Sequence, residues 1–172
     1  GSHQAIVIRL DGREWLVDCG NGAPFGEPIP LDGPFELHRA GLSYRFRGND
    51  GERWQDRLID GEWQPFCRYV LAPASDKERE AAYQRHHVLP AESFVVEELR
   101  VIKTQGDEVL QLAIGMFTRH TPDGKQRRPL TTVEDYEEVL AQEFGMPNLP
   151  IRDGLRALQA ITGKTLDAWA FG

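Results

Sequence analysis

His3 and Asp18 stand fifteen residues apart, and between them runs Gln4-Ala5-Ile6-Val7-Ile8-Arg9-Leu10, Asp11-Gly12 and Arg13 to Val17. A histidine beside a carboxylate is a general base with the acid that fixes its tautomer. Asp18 is followed at once by Cys19 and by the Gly20-Asn21-Gly22 corner. The chemistry open to such a pair is proton transfer, and a nucleophile is missing from it.

The elements needed to position the pair are readable. Asp11-Gly12 between two alternating apolar runs is a two-residue hairpin signal, because both residue types tolerate the positive φ that the favoured turns require. That turn sets Leu10 against Arg13, Arg9 against Glu14, Ile8 against Trp15, Val7 against Leu16 and Ile6 against Val17. Extending it sets Ala5 against Asp18 and His3 against Gly20. Strand parity then gathers His3, Ala5, Val7, Leu16, Asp18 and Gly20 on one face. His3 and Asp18 become diagonal neighbours, roughly 7–8 Å apart at the backbone. The same parity turns Cys19 to the other face, which removes it as the nucleophile and predicts a small buried apolar role. Taken alone, Asp18 reads as a strand-ending turn residue and Gly20-Asn21-Gly22 as an ordinary corner.

His3, its spacing to Asp18 and the phrase Trp15-Leu16-Val17-Asp18-Cys19-Gly20-Asn21-Gly22 resemble the arylamine N-acetyltransferases. The resemblance continues at Pro28 to Leu31, the Tyr44 to Arg47 strand, the Trp54 and Trp63 strands, Tyr69-Val70-Leu71, Tyr83, His86 to Phe94, and Leu130-Thr131-Thr132. Only the first twenty-two residues are motif-grade. The resemblance implies a Cys-His-Asp triad in which His3 is the base and Asp18 its orienting acid. It implies a cysteine in a helical domain N-terminal to Gly1, so that this chain is the C-terminal two-thirds of the enzyme and inactive alone. It further implies acetyl-CoA as acyl donor, an aromatic amine or hydrazine as acceptor, and Ser2, Gly20, Asn21 and Gly22 lining the acyl-donor channel. Two positions depart from the family pattern: Asn21 replaces its usual Phe, and Ala82 its common Asn. Gly1-Ser2-His3 also matches what a cleaved affinity tag leaves, but the hydroxyl-then-histidine order at this distance from Asp18 favours a native histidine. Two other functions stay open: a polyketide amide synthase with the same triad, and a non-catalytic binding module.

Composition bounds these readings. The chain has 172 residues, 40% hydrophobic and 27% charged, which fits a globular protein with one sizeable core or two small ones. No apolar run approaches the ~20 residues that span a bilayer, which predicts no membrane partner. Two cysteines make no disulfide framework, and a reducing cytoplasm is the default compartment. A net charge of −7 argues against nucleic acid. Arg85, Lys125, Arg127 and Arg128 are the few basic clusters and read as a solvated face.

The expected fold class is α+β: a small antiparallel β-barrel or strongly twisted sheet followed by an α/β lid. Residues 1–74 form the barrel domain, 75–87 a connecting helix and 88–172 the lid domain. Residues 23–34 read as irregular backbone. Leu42 to Arg47, Glu52 to Ile59 and Glu62 to Leu71 read as strands that extend the opening pair into one meander of at least five. Core packing is expected for Trp54, Trp63, Phe66 and Tyr69. Ser75 and Glu78 form a capping box for a helix from Asp76 to His86. His86-His87 cannot easily share a metal ion, because neighbours on a helix point about 100° apart. Val95 to Lys103 and Glu108 to Thr118 read as strands. Thr131 with Glu134 caps a helix running to Phe144, and 152–162 is a further helix stopped by Gly163.

Overall fold

A computed structural model describes residues 3–20, 25–49, 51–88, 98–113 and 115–165. The opening hairpin pairs β1 (Ile6–Leu10) with β2 (Arg13–Val17) in the predicted register, from Leu10 opposite Arg13 to Ile6 opposite Val17. Asp11 and Gly12 take φ of 51° and 76° at the turn, as a two-residue hairpin needs. A short β3 (Ile29–Pro30), within the segment expected to be irregular, adds to the other edge of β2.

That addition corrects the barrel. β2 is paired on both sides, so the opening sheet closes at three strands rather than running on into the next. The second sheet is a separate meander of β4 (Phe35–Arg39), β5 (Leu42–Asn49), β6 (Glu52–Ile59) and β7 (Glu62–Val70). The fold is mixed α+β with three antiparallel sheets, and among the described residues no barrel closes. The first two sheets share a core of Leu16, Phe25, Ile29, Leu31, Leu37, Tyr44, Phe46 and Tyr69.

β5 runs two residues past its expected end because Gly48 can sit at φ 137°. A Cβ there would lie 2.2 Å from the Glu52 carbonyl oxygen, so the close approach requires glycine. Between Gln55 and Asp56 the β6–β7 register shifts, leaving Phe66 as the extra residue of a bulge next to Pro65 on the edge strand. Core packing holds for Tyr69, which is buried, and fails for the other three aromatics. Phe66 is exposed and Trp54 and Trp63 only half-buried. They carry arginines on their rings instead: Arg47 and Arg68 at Trp54, Arg45 at Trp63 and Arg57 at Phe66.

Ser75 caps α1 (Asp76–Tyr83) through the reciprocal bonds with Glu78. The α-helix ends earlier than expected and passes into one π-helical turn, Gln84–Val88, in which His86 is buried. The third sheet orders β8 (Val101–Gln105), β9 (Glu108–Ala113), β10 (Met116–Thr121) and β11 (Gly124–Pro129) as a meander. The single strand expected from Glu108 to Thr118 is thus a hairpin, broken where Gly115 takes φ 66°. The start of the strand expected at Val95 lies outside the described residues.

The next cap falls one residue later than expected, with Thr132 and Asp135 forming the box that opens α2 (Val133–Gln142). α3 (Ile151–Thr162) stops at Gly163 in the left-handed region. Both helices cover the third sheet over a second core built on Leu110, Leu112, Phe117, Tyr136, Leu140 and Leu155. Among the described residues no helix is long and apolar enough to cross a membrane.

Candidate active site

His3 precedes β1 by three residues and Asp18 follows β2 by one, so both stand just beyond the hairpin ladder. The register still brings them together. His3 Nε2 lies 2.7 Å from both Oδ1 and Oδ2 of Asp18. A carboxylate only accepts, so Nε2 carries the proton and donates to it. Nδ1 is therefore the nitrogen left as acceptor, the one that can take a proton from another group.

Asp18 is held by more than the histidine. Its side chain is 1% exposed against 32% for His3. The Gly20 N–H donates to Oδ1 at 3.0 Å, and the Tyr69 hydroxyl donates to Oδ2 at 3.0 Å. Burial by itself would raise the Asp18 pKa, but the His3, Gly20 and Tyr69 hydrogen bonds and the His3 charge together hold it below the ordinary carboxylate value. The Asp18 hydrogen bond raises the His3 pKa above its usual value, against an opposing effect of burial. The pair thus favours imidazolium beside carboxylate, the charge state of a base that has accepted a proton.

Gly20 matters for space. A Cβ on it would stand 3.1 Å from His3 Cε1, tighter than ordinary contact. Any side chain at this position would require the imidazole to shift by a few tenths of an ångström against Asp18.

Tyr69 and Gln55 were not legible as site residues. The Tyr69 hydroxyl also lies 3.2 Å from Gln55 Oε1, on β6, so Gln55 and Asp18 flank the same donor. Burial pushes the Tyr69 pKa far up, which keeps it a neutral donor. The one available signal was that a buried tyrosine needs a partner for its hydroxyl. Nothing local names that partner, because Asp18 lies 51 residues away.

Of the expected site residues, the structure brings His3, Asp18 and Gly20 together. Ser2, Asn21 and Gly22 lie outside the described residues. Cys19 is exposed, which corrects the buried apolar role expected for it; it leaves the ladder at the corner, where strand parity no longer governs burial. Cys67 is half-buried and contributes to the raised pKa of Tyr69.

A family described as N-acetyltransferase matches residues 1–150. No curated protein sequence matches. Solved structures do, and they include the arylamine N-acetyltransferase of Salmonella typhimurium, at 16% identity and a TM-score of 0.69 over 94% of this chain. The Mycobacterium marinum enzyme in complex with CoA is 18% identical, with a TM-score of 0.72 over 95% of this chain. The Mycobacterium abscessus enzyme is 22% identical, with a TM-score of 0.68 over 95%. This chain spans 61%, 61% and 60% of those three proteins.

Proposed function

Because this chain belongs to the N-acetyltransferase family, we propose that it supplies the base and orienting acid of an arylamine N-acetyltransferase. Acetyl would pass from acetyl-CoA to a cysteine thiolate, and from that thioester to an aromatic amine or hydrazine. The observation that carries this reading is the His3–Asp18 contact through Nε2, with Nδ1 unpartnered among the described residues.

Each step balances on that nitrogen. His3 Nδ1 takes the thiol proton, and the resulting imidazolium stabilises the thiolate while Asp18 stabilises the imidazolium. The thiolate attacks the acetyl carbonyl carbon, the C–S bond to CoA breaks, and the departing thiolate takes the proton back. In the second half the amine nitrogen attacks the acetyl-cysteine, loses its proton to His3, and the cysteine leaves. Gly20 with Ser2, Asn21 and Gly22 would line the acyl-donor channel, and the absent Cβ beside His3 supports this for Gly20.

The cysteine belongs, in this reading, to an N-terminal helical domain of the same protein. The coverage of about 61% of the relatives' length supports that, as do Ile6, Val7, Ile8 and Leu10, apolar residues exposed on β1. Residues 88–172 would act as a lid over the acyl-donor cleft.

The test joins this chain to the family's helical domain and measures acetylation of an arylamine. The joined protein is expected to be active, the 172-residue chain alone inactive, and His3→Gln in the joined protein slower by about 10²–10⁴-fold. Transfer by the 172-residue chain alone would overturn the placing of the nucleophile, and full activity in His3→Gln would overturn the base.

A further inference from the structure

Between the second and third sheets lies a cavity of about 200 Å³ that the His3–Asp18 pair does not use. Arg57 of β6 and Arg100, just ahead of β8, both line it, with Leu42, Tyr44, Ile102 and Val109. The two guanidinium groups are in different situations. Arg100 donates from Nε to Glu98 Oε1 at 2.9 Å and from Nη2 to the same oxygen, which neutralises it. Arg57 has no ion pair and no hydrogen bond among the described residues, and its Nε is buried without a partner. Aromatic rings surround it instead, with Phe66 at 3.3 Å and Tyr44 at 5.9 Å from its guanidinium carbon.

The Arg57 guanidinium is partly buried, with its Nε enclosed and no anion beside it among the described residues, which leaves its terminal nitrogens to take one. Burial accordingly pushes the Arg57 pKa down. Among the described residues Arg100 has a carboxylate partner and Arg57 has none, so one guanidinium charge lining the cavity is unmatched, and burial raises the Tyr44 pKa and keeps its phenol neutral. The remaining walls mix aliphatic side chains with the polar Ser43 and Gln111.

We propose that this cavity binds a small apolar monocarboxylic acid, its carboxylate gripped by Arg57 and its hydrocarbon body packed against Leu42, Ile102 and Val109. The planar guanidinium fork matches a carboxylate, and one unmatched charge suits a monoanion better than a phosphate dianion. The volume is below the roughly 300–1,000 Å³ of drug-sized sites, so the ligand is small. Arg57 sits two residues along β6 from Gln55, which places the cavity beside the Tyr69–Asp18 network but not within it.

Calorimetric and NMR titrations of the 172-residue chain with benzoate, benzamide and inorganic phosphate test this without any reading of activity. Benzoate is expected to bind and to shift the amides of Ile102 and Val109. Benzamide, of the same shape but uncharged, is expected to bind at least about tenfold more weakly, as is benzoate to the Arg57→Gln variant. Equal affinity for benzoate and benzamide would overturn the proposal, as would unchanged benzoate binding in a folded Arg57→Gln. Phosphate binding tighter than benzoate would overturn the monocarboxylate assignment. Should Arg57→Gln fail to fold, the three-ligand comparison on the unaltered chain decides.

Discussion

The Tyr69 hydroxyl donates to Asp18 Oδ2 across 3.0 Å, tying the edge strand of the second sheet to the corner that follows the opening hairpin. Replacing Tyr69 by Phe keeps the ring in its core and removes one donor from a buried carboxylate. The Asp18 pKa is expected to rise and the chain to lose about 1–2 kcal/mol of stability, because hydrogen bonds to charged groups are worth about 1.5–3 kcal/mol. Carboxyl-carbon NMR titration and chemical denaturation measure the two effects.

Gly20→Ala is expected to disturb the imidazole selectively. Its Cβ would press on His3 Cε1 at 3.1 Å, while Gly20 is not among the glycines with positive φ. The His3 pKa should fall toward its ordinary value of 6.5 as the bond to Asp18 is strained, with the fold stable to within about 1 kcal/mol. A His3 titration unchanged from the parent would show that the ring has room to move.

The pair also predicts how stability depends on pH. The folded His3 pKa is raised, so the stabilisation from its charged form is complete below 6.5 and lost as pH climbs through the folded value. The folded Asp18 pKa is lowered, so its contribution is present above the ordinary 3.8 and lost as pH falls through the folded value. Denaturation midpoints across pH should therefore drop on both sides, and His3→Gln should abolish the alkaline drop.

Asp56 supplies a contrast away from the site. Its carboxylate is 1% exposed and accepts from Arg45 and Arg47, at 2.7–3.1 Å, and those hydrogen bonds, Arg47's above all, hold its pKa low against burial. Asp56→Asn leaves two arginines without their anion. A loss of about 2–3 kcal/mol is expected, below the range for fully enclosed pairs because both arginines reach solvent. Urea denaturation reads it directly.

Gly48→Ala is expected to be the most damaging single change in the second sheet. The new Cβ would fall 2.2 Å from the Glu52 carbonyl oxygen at φ 137°. Both the clash and the backbone strain act on the β5–β6 turn, so a loss above about 3 kcal/mol is expected by thermal denaturation.

Local signals were legible wherever one residue's neighbours in the chain were also its neighbours in space. The Asp11-Gly12 turn specified the β1–β2 register, and the Ser75–Glu78 box located α1. Cap positions slipped only where adjacent hydroxyls and carboxylates competed, as at Thr131 and Thr132. The grouping of strands into sheets was not legible, because β3 is two residues long and its pairing with β2 decides where the first sheet ends. Nor was the exposure of Phe66 at the bulge opposite Gln55, or the half-burial of Trp54 and Trp63 under arginines on the outer face.

What the sequence by itself determined was the encounter of His3 with Asp18. Hairpin register and side-chain parity are local properties, and they suffice to set two residues on one face at one end. What tertiary structure alone decided was the state of that pair. Burial of Asp18 and the Tyr69 donor arrive from the second sheet, across a separation of 51 residues in sequence, with Gln55 backing Tyr69 from the neighbouring strand of that sheet. Such contacts depend on how two twisted sheets pack, and no periodicity within either strand encodes the distance between them.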